Sequence, residues 1–116
     1  MRAGGRAHHG GLAAEEIALR LYPGARVLAL RWRRPAGEID LILEEAGVVV
    51  FVEVKARRDL DAAAHALGPR QRARIVAAAG LWLAETGWAG DCRFDLALVD
   101  GAGRAERIAN AFGAEG

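Results

Sequence analysis

Four ionisable side chains stand in two short apolar runs. Glu38 and Asp40 lie in "GEIDLI" (37–42), and Glu53 and Lys55 lie in "VFVEVKAR" (50–57). Side chains of a strand alternate between its faces, so residues two apart share a face. Glu38, Asp40 and Ile42 therefore point one way on their run. Phe51, Glu53 and Lys55 do so on the next. Charged groups placed this deep in apolar sequence are costly to bury without partners. Two converging carboxylates suit Mg²⁺, or the similar Mn²⁺, which takes one or two protein carboxylates and keeps room for water and phosphate. Such a cation activates water and offsets charge on a phosphate. A neighbouring lysine orients that water or stabilises the transition state as an ammonium, or deprotonates the water as a neutral amine. Lys55 is the single lysine of a chain whose other fifteen basic residues are Arg. A compact ammonium and a planar guanidinium fork do different work, so the exception carries meaning. The plainer alternative is a Glu53–Lys55 ion pair on an exposed edge strand, which contributes little. The run "VVVFV" (48–52) speaks against it, because an edge strand is seldom so apolar.

Whether the two pairs meet depends on hairpin register. The intervening "EEAG" (44–47) reads as a four-residue loop, with Leu43 opposite Val48. That register sets Glu38 across from Glu53 and Asp40 across from Phe51, with all four ionisable groups on one face. An odd loop would send Asp40 and Glu53 to opposite faces.

The elements that must hold this hairpin are legible around it. Leu12, Glu15, Glu16, Leu19 and Tyr22 carry helical spacing, and "YPG" stops it. Residues 25–33 alternate as a strand does. Residues 38–43 and 48–54 form the hairpin. Residues 57–68 show no clear period and read as a loop. Pro69 suits the first position of a helix. Ile75, Ala78, Ala79 and Trp82 make its apolar stripe, and Gly87 ends it. Residues 92–100 are a further strand, and "RAERIANAF" is a last strand or an extended tail. The order predicts an α/β class: a mixed sheet with an αβββαβ core and helices packed on both sides. Residues 11–112 form one domain, between flexible tails at 1–10 and 113–116.

Bulk properties set the limits. A chain of 116 residues with 53% hydrophobic and 27% charged residues is long enough for one real core. No apolar run reaches the length of a membrane span, and no secretory signal opens the chain. One cysteine, Cys92, excludes an internal disulfide and a Cys-based zinc site, which fits a cytoplasmic setting. Net charge is +1, yet it is unevenly spread. Arginines dominate residues 1–35 and 57–74, and carboxylates dominate 36–56. Basic flanks suit a phosphate polymer, and the acidic centre suits a hard cation. A mosaic surface without function reads the same way.

"GEIDLI" followed by "VFVEVKAR" resembles the YraN family, also called UPF0102. These are small bacterial proteins of the restriction-endonuclease-like, PD-(D/E)XK nuclease superfamily, related to archaeal Holliday junction resolvases. "GLAAEEIA" (11–18) is similar to the family's opening helix and selects Glu15 over Glu16. "RFDLALV" and "IANAF" are similar to its closing segments. The resemblance implies Asp40 and Glu53 as ligands of Mg²⁺ or Mn²⁺, with the Val54 carbonyl beside them. It implies Lys55 as the catalytic lysine and Glu15 as a further catalytic carboxylate. The implied activity is hydrolysis of DNA phosphodiester bonds, branched DNA included. The alternative is a nucleic-acid-binding protein of the same fold without turnover. A homodimer follows by analogy with junction-cutting relatives alone. The chain departs from the family at Ala14, at Gln71 (where a Lys is usual) and at Arg107.

Further nucleic-acid contacts are expected from Arg31 and Arg33 around Trp32, and from Arg57, Arg70, Gln71 and Arg74. Each also fits a solvated basic surface. Trp82 and Trp88 read as core or cap residues. Asp95 reads equally as a site residue or a buried, hydrogen-bonded one.

Overall fold

A computed structural model describes residues 13–113. The two expected tails lie outside the described residues, apart from residue 113. The elements run α1 (Ala14–Leu19), β1 (Arg26–Arg34), β2 (Gly37–Glu45), β3 (Val48–Ala56), α2 (Leu60–Ala64), α3 (Pro69–Thr86), β4 (Cys92–Val99) and β5 (Ala105–Phe112). The expected αβββαβ core is present, and the final segment is a strand. Residues 57–68, expected as a loop, are not all loop. Asp59 accepts a hydrogen bond from Ala62 N at 2.8 Å and starts the short helix α2. Five residues are too few for a visible helical period.

The five strands lie side by side in chain order, β1 to β5. All neighbours are antiparallel except β3 and β4, which are parallel and joined through α2 and α3. β3 is therefore central, as its apolar sequence requires. This is the mixed sheet of a restriction-endonuclease-like α/β fold.

Both faces of the sheet are covered. On one, the α3 stripe Ile75, Ala78, Ala79 and Trp82 packs with Ile42, Phe51, Phe94 and Phe112. Trp82 meets Phe51 edge-on at 5.7 Å, and Phe51 stacks on Phe94 at 5.3 Å. On the other, Ala18 and Tyr22 pack with Leu41, Leu43, Val50, Val52 and Ala97. Pro69 opens α3, and Gly87, with φ 72°, closes it. No described helix is long and apolar enough to cross a membrane.

The hairpin register differs from expectation. Glu45 pairs with Val48 and Leu41 with Val52, so the loop is only Ala46–Gly47. Both have positive φ, 52° and 82°, as a type I′ turn demands. The strands extend through Glu44 and Glu45, whose carboxylates are held by Arg26 at 3.2 Å and by Arg93 and Arg107 at 2.8 and 3.0 Å. The slip is two residues, so the faces are kept and the partners change. Continued along the strands, this register sets Asp40, not Glu38, across from Glu53.

Candidate metal centre and nucleic-acid interface

Asp40 and Glu53 meet at the middle of the sheet. Val54 N donates to Asp40 Oδ2 at 2.8 Å, which fixes the Asp40 carboxylate against β3. Glu53 is 5% exposed and Lys55 9%, so both are buried in a strand walled by Val, Leu and Phe. Lys55 Nζ stands 3.3 Å from Glu53 Oε2.

Burial pushes the Glu53 carboxyl up to about 8, and the charge of Asp40 and a hydrogen bond with it push the same way; Lys55 opposes them. Asp40 is also raised, first by burial, with the charges of Glu15 and Glu38 adding to it, while the bond from Val54 N works against the rise. Two carboxyls this close cannot both ionise cheaply, so each raises the cost of ionising the other. Two hard carboxylate oxygens on a shared site are the donor set that suits Mg²⁺ or Mn²⁺. A divalent cation would offset the charge that makes both carboxyls costly to ionise.

Gln71, in the first turn of α3, reaches the same place. Lys55 Nζ donates to its Oε1 at 2.7 Å, and its Nε2 donates to Glu53 Oε2 at 2.8 Å. Sequence reasoning put Gln71 among the phosphate contacts, yet its amide faces inward. The signal was present: position 71 lies four residues before Ile75, on the stripe that α3 turns to the sheet.

Glu15 does not join Asp40 and Glu53 in a compact cluster. Among the described residues no three acidic, His or Cys side chains gather closely enough to hold an ion by themselves. Glu15 lines a cleft of about 460 Å³ with Asp40, Glu16, Leu30 and Arg31, and pairs with Arg31 at 3.5 Å. Glu16 accepts from Ala13 N at 3.1 Å and is spent on the start of α1. Both neighbouring carboxylates line the cleft, and Glu15 is the one that pairs across it with Arg31. The backbone of Val54 meets Asp40 through its N–H.

The arginine candidates separate into two groups. Arg31 and Arg33 are engaged by Glu15 and Glu38, at 3.5 and 3.1 Å. Arg34 lies over the Trp32 ring at 4.2 Å and is held by both oxygens of Glu85 at 2.7 and 2.9 Å. Trp32 also packs against the core, so its ring is already covered. Arg57, Arg70 and Arg74 make no ion pair among the described residues. Arg70 and Arg74 line a cleft of about 570 Å³ with Glu38, Gly68, Pro69, Gln71 and Ile75, beside the carboxylate pair.

Asp95 lies elsewhere. It is fully buried and accepts from Tyr22 Oη at 2.8 Å, Arg93 Nε at 2.9 Å and Asn110 N at 2.9 Å. These bonds tie the end of the α1 segment to β4 and β5. Trp82 is core, and Trp88 Nε1 donates to Asp91 O at 3.0 Å beyond the end of α3. His8 and His9 lie outside the described residues.

Residues 14–99 match the model of "Uncharacterised protein family UPF0102". The chain belongs to this family. A UPF0102 protein of Ruegeria pomeroyi is 51% identical over 114 residues, covering 95% of this chain and 93% of its own. One from Granulibacter bethesdensis is 49% identical over 114 residues, 94% of this chain and 72% of its own. One from Cereibacter sphaeroides is 49% identical over 111 residues, 92% and 95% of the two chains. The matched span of the UPF0102 model holds Glu15, Asp40, Glu53, Lys55 and Gln71 together.

Proposed function

We propose that this UPF0102 protein hydrolyses DNA phosphodiester bonds with Mg²⁺ or Mn²⁺, branched DNA being among its candidate substrates. The observation that carries the reading is the half-buried Asp40 beside the buried Glu53, with the one lysine 3.3 Å from Glu53 Oε2. Structure alone gains nothing from two carboxyls that are costly to ionise together in an apolar sheet.

Asp40 and Glu53 would hold the cation, with the Val54 backbone fixing Asp40 and Glu15 facing the same cleft. When bound, a divalent cation supplies a Lewis acid that offsets phosphate charge and makes water easier to deprotonate. Lys55 offers a donor-only ammonium to the water or to the phosphoryl oxygens. Arg70 and Arg74 line the cleft beside the pair, Arg57 follows β3, and all three are free of ion pairs among the described residues, which suits them to grip the backbone. The paired Arg31 and Arg33 would have to leave carboxylates to do so.

Calorimetric titration with Mn²⁺ tests the first requirement. Wild type is expected to bind at one principal site, and Asp40→Asn and Glu53→Gln are each expected to lose it while keeping their folds. No binding by wild type, or binding that survives both substitutions, rejects the centre.

A further inference from the structure

The amide of Gln71 closes a ring of contacts. Lys55 Nζ donates to Gln71 Oε1 at 2.7 Å, Gln71 Nε2 donates to Glu53 Oε2 at 2.8 Å, and Nζ lies 3.3 Å from that same Oε2. An ammonium only donates, and Glu53 Oε2 accepts whether the carboxyl is ionised or carries its proton on the other oxygen. A group set between them must accept from one and donate to the other. A primary amide does both without adding charge. Glu at this position would set a third carboxyl beside Asp40 and Glu53. Lys or Arg would set a second cation beside Lys55.

The clamp has a rigid base. Pro69 opens α3, and Ile75, four residues after Gln71, is buried in the core under the helix. Gln71 thus approaches the pair from a fixed helix, whereas Lys55 reaches it on a flexible four-carbon stem. Without the amide, Glu53 is the one described residue left to restrain the ammonium, and the stem regains rotamer freedom.

We propose that Gln71 is a positioning residue: its amide fixes Lys55 Nζ relative to Glu53, so that the ammonium meets the reacting phosphate in one orientation. The inference rests on the reading of Asp40, Glu53 and Lys55 as the reacting centre. It also links binding to chemistry. The turn of α3 that turns Gln71 inward carries Arg70 into the adjoining cleft, so a phosphate gripped there lies one short helix segment from the lysine clamp.

The single lysine makes the test specific. Lysine labelled with ¹⁵N reports Lys55 alone, and a held ammonium exchanges its protons slowly. Wild type is compared with Gln71→Met, which keeps the length and loses both bonds. Gln71→Asn, one methylene too short to span both partners, serves if the first variant does not fold. The variant is expected to exchange its ammonium protons at least about 10-fold faster, with backbone spectrum and Tm retained. Its kcat is expected to fall about 10- to 100-fold, with KM for DNA within about 2-fold of wild type. Unchanged ammonium exchange overturns the clamp. A raised KM with unchanged kcat overturns it too, and makes Gln71 a substrate contact. If wild type cuts no DNA, the nuclease reading fails, while ammonium exchange still decides whether Gln71 holds Lys55.

Discussion

At the scale of single residues, the Asp40–Glu53 pair sets a pH signature that does not depend on catalysis. Glu53 keeps its proton up to about 8 in the fold, against an ordinary value of 4.5. Below 4.5 both folded and unfolded chains hold that proton, and its contribution to stability is full. Between 4.5 and about 8 the unfolded chain ionises first, so stability drains away, and above about 8 the loss levels off. Glu53→Gln removes this dependence. In EDTA, the Tm advantage of the variant over wild type is expected to widen across that window and then hold constant. Glu45 and Glu85, whose carboxyls are lowered by Arg partners after some opposition from burial, lose stability toward acid instead, and they cancel because both proteins carry them. A Tm difference that stays flat across the window would show that Asp40 and Glu53 do not share a site. Excess Mn²⁺ is expected to restore wild type at high pH and to leave the variant unmoved.

At the scale of elements, the site depends on how tightly α3 lies against β2. A Cβ on Gly37 would fall 2.8 Å from the carbonyl oxygen of Arg74, a backbone atom that cannot swing aside. Gly37→Ala is expected to push the start of β2 away from α3 and to cost about 1–3 kcal/mol by chemical denaturation, as overpacking does. A loss below about 0.5 kcal/mol would mean that the two elements are loosely apposed. This contact also shows what the sequence could and could not tell. The α3 stripe, the central place of β3 and the shared face of Asp40 and Glu53 follow from periodicity alone. The turn did not, because "EEAG" carries two carboxylates that look like loop residues. Arg26 holds Glu44, Arg93 and Arg107 hold Glu45 from 48 and 62 residues along the chain, and only tertiary contact pulls the two carboxylates into the strand. Ala46 hid the turn further, since a type I′ turn normally announces itself with Asn-Gly or Gly-Gly. Asp95 was ambiguous for the same reason: its partners Tyr22 and Asn110 are remote in sequence. Gln71 was readable as a polar residue on an apolar stripe, but the motif's usual lysine drew it toward a phosphate role.

At the scale of the whole molecule, a net charge of +1 conceals a division of labour among fifteen arginines. Several are tied down by carboxylates, whereas Arg57, Arg70 and Arg74 make no ion pair among the described residues. Nucleic-acid binding through them would be strongly salt-dependent. Arg70→Ala combined with Arg74→Ala is expected to weaken DNA binding across sequences and to reduce the slope of log K against log salt by about 2 on duplex. Arg31→Ala, already paired with Glu15, is expected to change the slope little; the opposite ranking would move the interface to β1. Binding alone does not separate a nuclease from a module that holds DNA without turnover. The decisive measurement is cleavage of a panel of duplex, single-stranded and branched DNA, with Mg²⁺ or Mn²⁺, by wild type, Glu53→Gln and Lys55→Arg. Wild type is expected to cut at least one substrate. Each variant is expected to lose about 10²- to 10³-fold in rate with its fold intact, Lys55→Arg included, although it keeps the charge. No cleavage by wild type on any substrate, or full activity in Lys55→Arg, would contradict the assignment of Asp40, Glu53 and Lys55 as a reacting centre.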